Sequence, residues 1–79
     1  LASAAKLLER MRGNPRDWRI EDLEVIARKY SIDYRRPGTS HVVFRHPKAG
    51  ILTVPAARPI KPVYIRRFLA MIERLETHP

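Results

Sequence analysis

Beyond Ser31 the apolar side chains stop recurring every three or four residues and begin to alternate, and this change of period constrains the fold more than any other feature. A 3.6-residue repeat makes a stripe along a helix, whereas a two-residue repeat makes one face of a strand. Before the change, Ala4, Leu7, Leu8 and Met11 mark a short first helix. Ser3 is placed to cap it, and Gly13-Asn14-Pro15 ends it. Trp18 precedes a second helix striped by Ile20, Leu23, Ile26, Ala27 and Tyr30. Its acidic Glu21 and Asp22 come early and its basic Arg28 and Lys29 late, an order that suits the helix dipole.

After the change, the segment from Ile32 to Arg36 reads as a first strand that stops at Pro37-Gly38, a pair suited to a type II turn. A second strand from His41 to His46 places Val42, Phe44 and His46 on one side and His41, Val43 and Arg45 on the other. Pro47-Lys48-Ala49-Gly50 turns the chain into a third strand from Ile51 to Val54. Pro55 to Pro62 is a stiff connection, and Pro62 fits the first position of a last helix, where its missing N–H has no partner to lose. That helix carries an apolar stripe of Ile65, Phe68, Leu69, Ile72 and Leu75, with Arg66 and Arg67 off it. The expected fold is α+β in the order α-α-β-β-β-α, a three-stranded antiparallel sheet with helices packed on one face. With 79 residues there is room for one small core. Residues 1–17 read as an N-terminal helical extension and 18–79 as the main body of one compact domain.

Charge is segregated along this chain. No acidic residue lies between Asp33 and Glu73, an interval that holds Arg35, Arg36, Arg45, Lys48, Arg58, Lys61, Arg66 and Arg67 and supplies the whole net charge of +8. Segregation of this kind predicts a polyanionic partner, and a pI near 10.9 puts nucleic acid first, ahead of an anionic membrane or an acidic protein. The ordinary alternative is a solvated cationic face. Cysteine is absent, and the longest apolar runs fall far below the roughly 20 residues a membrane helix needs. With no signal-peptide pattern at the start, the expectation is a soluble, cytoplasmic protein.

His41 is the residue most open to chemistry. It enters its strand on the face expected to meet solvent, beside Ser40 and with Arg45 further along. An imidazole titrates near about 6.5, so it exchanges protons at neutral pH without a metal. RNA cleavage requires removal of the 2′-hydroxyl proton, stabilisation of phosphate charge and protonation of the leaving 5′-oxygen. His41 with cations nearby suits that task, and Ser40 is placed to bond a phosphate. A surface or capping histidine is the plainer reading of the same residue. Trp18 and Phe44 read as core, and His46 as a packed or turn-facing histidine; His78 receives no role. The three histidines have no carboxylate at a convincing ligand spacing, so neither metal nor cofactor is expected. A glycine-rich phosphate loop and a nucleophile elbow are both missing.

Several of these segments together resemble the HicA family of bacterial toxins. They are the helix from Ile20, the strand from Ile32, Gly38-Thr39-Ser40-His41-Val42-Val43-Phe44, Thr53-Val54-Pro55, and Ile60-Lys61-Pro62 leading into Ile65-Arg66-Arg67-Phe68-Leu69. The resemblance covers residues 20 to 72. It implies a double-stranded-RNA-binding-domain-like fold, metal-independent endoribonuclease activity on mRNA with His41 as the catalytic histidine, and a HicB-like antitoxin that covers the histidine and the basic surface. Ser40, Arg35, Arg36, Arg45, Lys61 and Arg66 are then the expected RNA-binding residues. Three departures stand out: Thr39 is inserted between Gly38 and Ser40, Ala57 stands where many members carry a second histidine, and an extra helix precedes Trp18. They leave two alternatives, a non-catalytic nucleic-acid-binding module of the same fold and a basic protein-interaction module.

Overall fold

The computed structural model describes residues 3–38 and 40–77, so the inserted Thr39 and the unassigned His78 lie outside the described residues. The Ser3 hydroxyl accepts the Lys6 N–H at 3.2 Å and opens α1, Ala4–Gly13. Across the next turn the Trp18 indole N–H donates to the Asn14 carbonyl at 2.6 Å, which satisfies the one polar atom of an otherwise buried ring. Helix α2, Ile20–Lys29, starts with the Asp22 carboxylate accepting the Arg19 N–H at 3.0 Å.

The end of α2 is closed by backbone geometry. Ser31 takes a φ of 58°, its N–H donates to the Arg28 carbonyl at 3.3 Å, and the Ile32 N–H donates to the Ala27 carbonyl at 2.9 Å. This is a Schellman closure with serine in the left-handed position that glycine usually fills. It also explains why the first strand is shorter than the Ile32 to Arg36 expected, since Ile32 still belongs to the helix end. Strand β1 is Asp33–Arg35.

Strand β2 is His41–His46 and β3 is Gly50–Pro55, one residue longer at each end than the alternation suggested. Among the described residues the sheet has three strands in the order β1-β2-β3, both pairings antiparallel. Gly50, at φ 89°, takes the left-handed conformation that lets the β2–β3 hairpin close. The other hairpin departs from expectation: Gly38 does not adopt positive φ, so Pro37-Gly38 is not the centre of a type II turn.

The last helix, α3, spans Pro62–Thr77. One buried cluster runs through the molecule and joins Leu7, Leu8 and Met11 of α1 with Leu23 and Ile26 of α2, Val42, Phe44 and Val54 of the sheet, and Ile65, Phe68, Met71 and Ile72 of α3. Met71 replaces Leu69 and Leu75 as a fully buried member of the last stripe; those two pack at its margin. Phe44 and Phe68 meet edge to face, with ring centres 5.2 Å apart, and pin α3 to the middle strand. The fold is therefore α+β, with one sheet face covered by helices and the other open.

Candidate nucleic-acid interface

The open face follows from strand alternation. Val42 and Phe44 are fully buried beneath β2, so His41, Val43 and Arg45 point away from the core. Their cross-strand partners fill out the face: Arg45 lies between Asp33 and Ile51, Val43 between Arg35 and Thr53, and His41 beside Pro55. His41 is exposed. The Ser40 hydroxyl oxygen lies 3.1 Å from its Nδ1, so one ring nitrogen has a local partner and Nε2 is left for solvent or a ligand.

His46, at the other end of the same strand, is a turn-facing residue. Its Nδ1 accepts the Lys48 N–H at 3.0 Å, which ties the imidazole to the hairpin.

The cations do not all gather on the histidine face. Arg35 and Arg45 do, but both meet Asp33, whose carboxylate lies 3.3 Å from Arg35 and 4.0 Å from Arg45. These three, with Pro37 and Val43, line a shallow hollow of about 230 Å³. Arg36 has the opposite strand phase and turns to α2, where it pairs with Glu24 at 3.4 Å and Glu21 at 3.5 Å. Arg58 reaches Glu21 as well, at 3.9 Å. Lys61 and Arg66 are exposed, and among the described residues neither forms an ion pair. Arg66 sits about 100° around α3 from Arg67, which directs the two to different sides.

A second hollow of about 250 Å³ is lined by Pro55, Ala57, Lys61 and Tyr64. It borders the histidine, because Pro55 is the register partner of His41 and the Ala56 N–H donates to the Ser40 carbonyl at 2.9 Å. Arg67 stacks over the Tyr64 ring at 5.6 Å. Tyr64 and Arg67 were not among the residues expected at the site. Their signal in the sequence is weak, because a tyrosine at helical spacing reads first as core. Asp33 was also missed, since it marks the end of the acid-free interval in sequence yet stands inside the cationic face in space.

Set against family models, curated proteins and solved structures, the chain matches none.

Chemically, the His41 end of the face offers an accessible imidazole with a hydroxyl beside it, and the hollow reached through its register partner Pro55 adds the Lys61 ammonium and the Tyr64 phenol. Lys61 immediately precedes α3, whose first turn carries no acidic residue, so the partial positive charge of the helix start adds to that of the ammonium. This combination suits a phosphate diester with an adjacent hydroxyl. Among the described residues no group of three or more His, Cys, Asp or Glu side chains is placed to hold a metal ion, and no helix is long and apolar enough to cross a membrane.

Proposed function

We propose that this chain is a HicA-like toxin, a cytoplasmic endoribonuclease that cleaves mRNA, with His41 as its proton-transfer residue. The observation that carries the reading is the pairing of an exposed His41 with Ser40 at 3.1 Å, beside the hollow that holds Lys61 and Tyr64. We assign the tautomer in which Nδ1–H donates to Ser40, because it leaves a lone pair on Nε2 for the base role. The ribose 2′-oxygen attacks the adjacent phosphorus while Nε2 takes its proton. The bond from phosphorus to the 5′-oxygen breaks, and that oxygen takes a proton from water, leaving a 2′,3′-cyclic phosphate and a 5′-hydroxyl. Lys61 steadies the phosphate charge, and Arg35, Arg45 and Arg66 attract the flanking chain. A HicB-like antitoxin would silence the toxin by covering His41.

Purified protein incubated with RNA in EDTA tests this directly. Cleavage that disappears in His41→Ala is expected, and equal cleavage by both proteins removes His41 from the mechanism.

A second reading is a nucleic-acid-binding module without turnover. Ala57 favours it, because among the described residues the hollow next to Pro55, the register partner of His41, is lined by neither a second imidazole nor a carboxylate. Under this reading the protein binds RNA with strong salt dependence and leaves it intact.

A further inference from the structure

The two edges of the sheet are protected very differently. The β1 edge is three residues long, carries Asp33 and Arg35, and is followed by Arg36 and Pro37. Short length, charge and proline are the usual defences against added strands. Strand β3, Gly50–Pro55, has six residues and no charge, and Ile51 at its free edge is 67% exposed.

The hydrogen-bond phase of β3 shows what that edge offers. The Ala56 N–H donates to the Ser40 carbonyl, and these positions continue the register that pairs His41 with Pro55. Bonded and non-bonded pairs alternate in an antiparallel ladder, so Leu52 and Val54 bond to β2 while Ile51 and Thr53 do not. The N–H and C=O groups of Ile51 and Thr53 therefore point away from the sheet. Among the described residues neither donor has a backbone partner, so both are open to another strand.

Helix α3 flanks this edge along its length. Near its start Tyr64 lines a hollow with Pro55, and near its end Arg74 donates to the Ala49 carbonyl from Nε at 3.1 Å and Nη2 at 2.9 Å. Helical spacing places Val63, Arg67, Ala70 and Arg74 on the same flank. The acidic residues of α3 lie elsewhere: Glu73 and Glu76 line a hollow with Arg12 and Leu69, toward α1. The free edge is thus bordered by Arg74, with Arg67 on the same flank of α3, and among the described residues of α3 no carboxylate shares that flank.

We propose that β3 and the Val63, Arg67 and Arg74 flank of α3 dock an extended acidic segment of a partner protein as a fourth strand. Backbone pairing to Ile51 and Thr53 supplies the hydrogen bonds. Apolar side chains of the segment cover Ile51 on the open face, and its carboxylates, on the helix side, meet Arg67 and Arg74. Charge chooses this occupant over a second copy of the chain, which would bring the same cations against themselves. The docking does not depend on RNA cleavage.

The test is an amide-resolved NMR titration of the full chain with a blocked hexapeptide of three Glu-Val repeats. Shifts and slowed exchange are expected at the Ile51 and Thr53 amides, with Leu52 and Val54 little changed. A Lys-Val hexapeptide should bind at least about tenfold more weakly. Thr53→Pro removes an edge donor that β2 does not use, and should weaken the acidic peptide about fivefold or more. Arg67→Glu keeps the backbone intact and should narrow or reverse the preference between the two peptides, which serves even where the proline variant fails to fold. No response at Ile51 and Thr53 with millimolar peptide overturns the proposal, as does equal binding of both peptides. Concentration-dependent dimerisation through the same amides, or the same shifts produced by an RNA oligonucleotide, overturns it too by assigning the edge to another occupant.

Discussion

The Asp33 carboxylate faces Arg45 across the β1–β2 pairing, 4.0 Å from its guanidinium, and reaches Arg35 on its own strand at 3.3 Å. One acid therefore holds two of the cations that the sequence assigns to RNA. All three side chains are largely exposed, so the pairs contribute little stability. Their effect is on what the arginines are free to bind.

Asp33→Asn should consequently tighten binding to an RNA oligonucleotide at low salt while leaving the fold's stability nearly unchanged. Each cation released to a phosphate steepens the salt dependence of single-strand binding by roughly 0.7 in the log–log slope. Fluorescence anisotropy across a salt series measures it. An unchanged slope would show that Arg35 and Arg45 do not contact phosphate.

Ser31 occupies the left-handed position of the α2 closure, where a side chain costs about 1–2 kcal/mol relative to right-handed backbone. Glycine relieves that cost and gives part of it back through greater freedom in the unfolded chain. Ser31→Gly should raise stability by about 0.5–1 kcal/mol, seen as a higher urea midpoint at constant slope.

Phe44 is fully buried between Phe68, edge to face, and Tyr34, whose ring centre lies 6.0 Å away. Phe44→Ala should cost about 3–5 kcal/mol. A domain of this size has a total stability on the order of 4–12 kcal/mol, so that loss brings the protein close to unfolding. Phe44→Leu keeps more of the volume and should cost clearly less. Thermal unfolding of the two variants orders them.

Tyr30 links α2 to the end of α3 by donating its hydroxyl hydrogen to Glu76 at 2.9 Å, and Glu76 also pairs with Arg12 of α1. Burial raises the Tyr30 pKa above its ordinary value, and the hydrogen bond and negative charge of Glu76 raise it further, against a lowering by Arg12. The fold thus favours the protonated phenol. Its contribution is whole below the unfolded tyrosine pKa of about 10 and is lost as pH rises through the higher folded value. Stability measured from pH 8 upward should fall across that window, and Tyr30→Phe should flatten the fall.

The elements were legible wherever a local rule fixed them. Ser3 caps its helix, Pro62 begins one, and the alternation from His41 to His46 separates Phe44 from Arg45 in the structure as it does on paper. The misses have non-local causes. Ile32 leaves the first strand because the closure of α2 claims its N–H, and Met71 displaces Leu69 from the deepest layer because the approach of the sheet selects the helix face. At the site, strand phase revealed that His41 is exposed, but not that Ser40 lies against its ring or that Tyr64 and Lys61 stand beside Pro55.

The acid-free interval shows the same division. By itself the sequence determined the order of elements, the side of the sheet left uncovered and the excess of positive charge, because periodicity and composition are properties of neighbours along the chain. Only the tertiary structure decided which charges remain free. Packing brought Glu21 and Glu24 to Arg36, strand pairing brought Asp33 to Arg45, and among the described residues Lys61 was left without an ion-pair partner in the hollow it shares with Pro55. Electrostatic interaction falls with distance through space, and sequence separation says little about that distance.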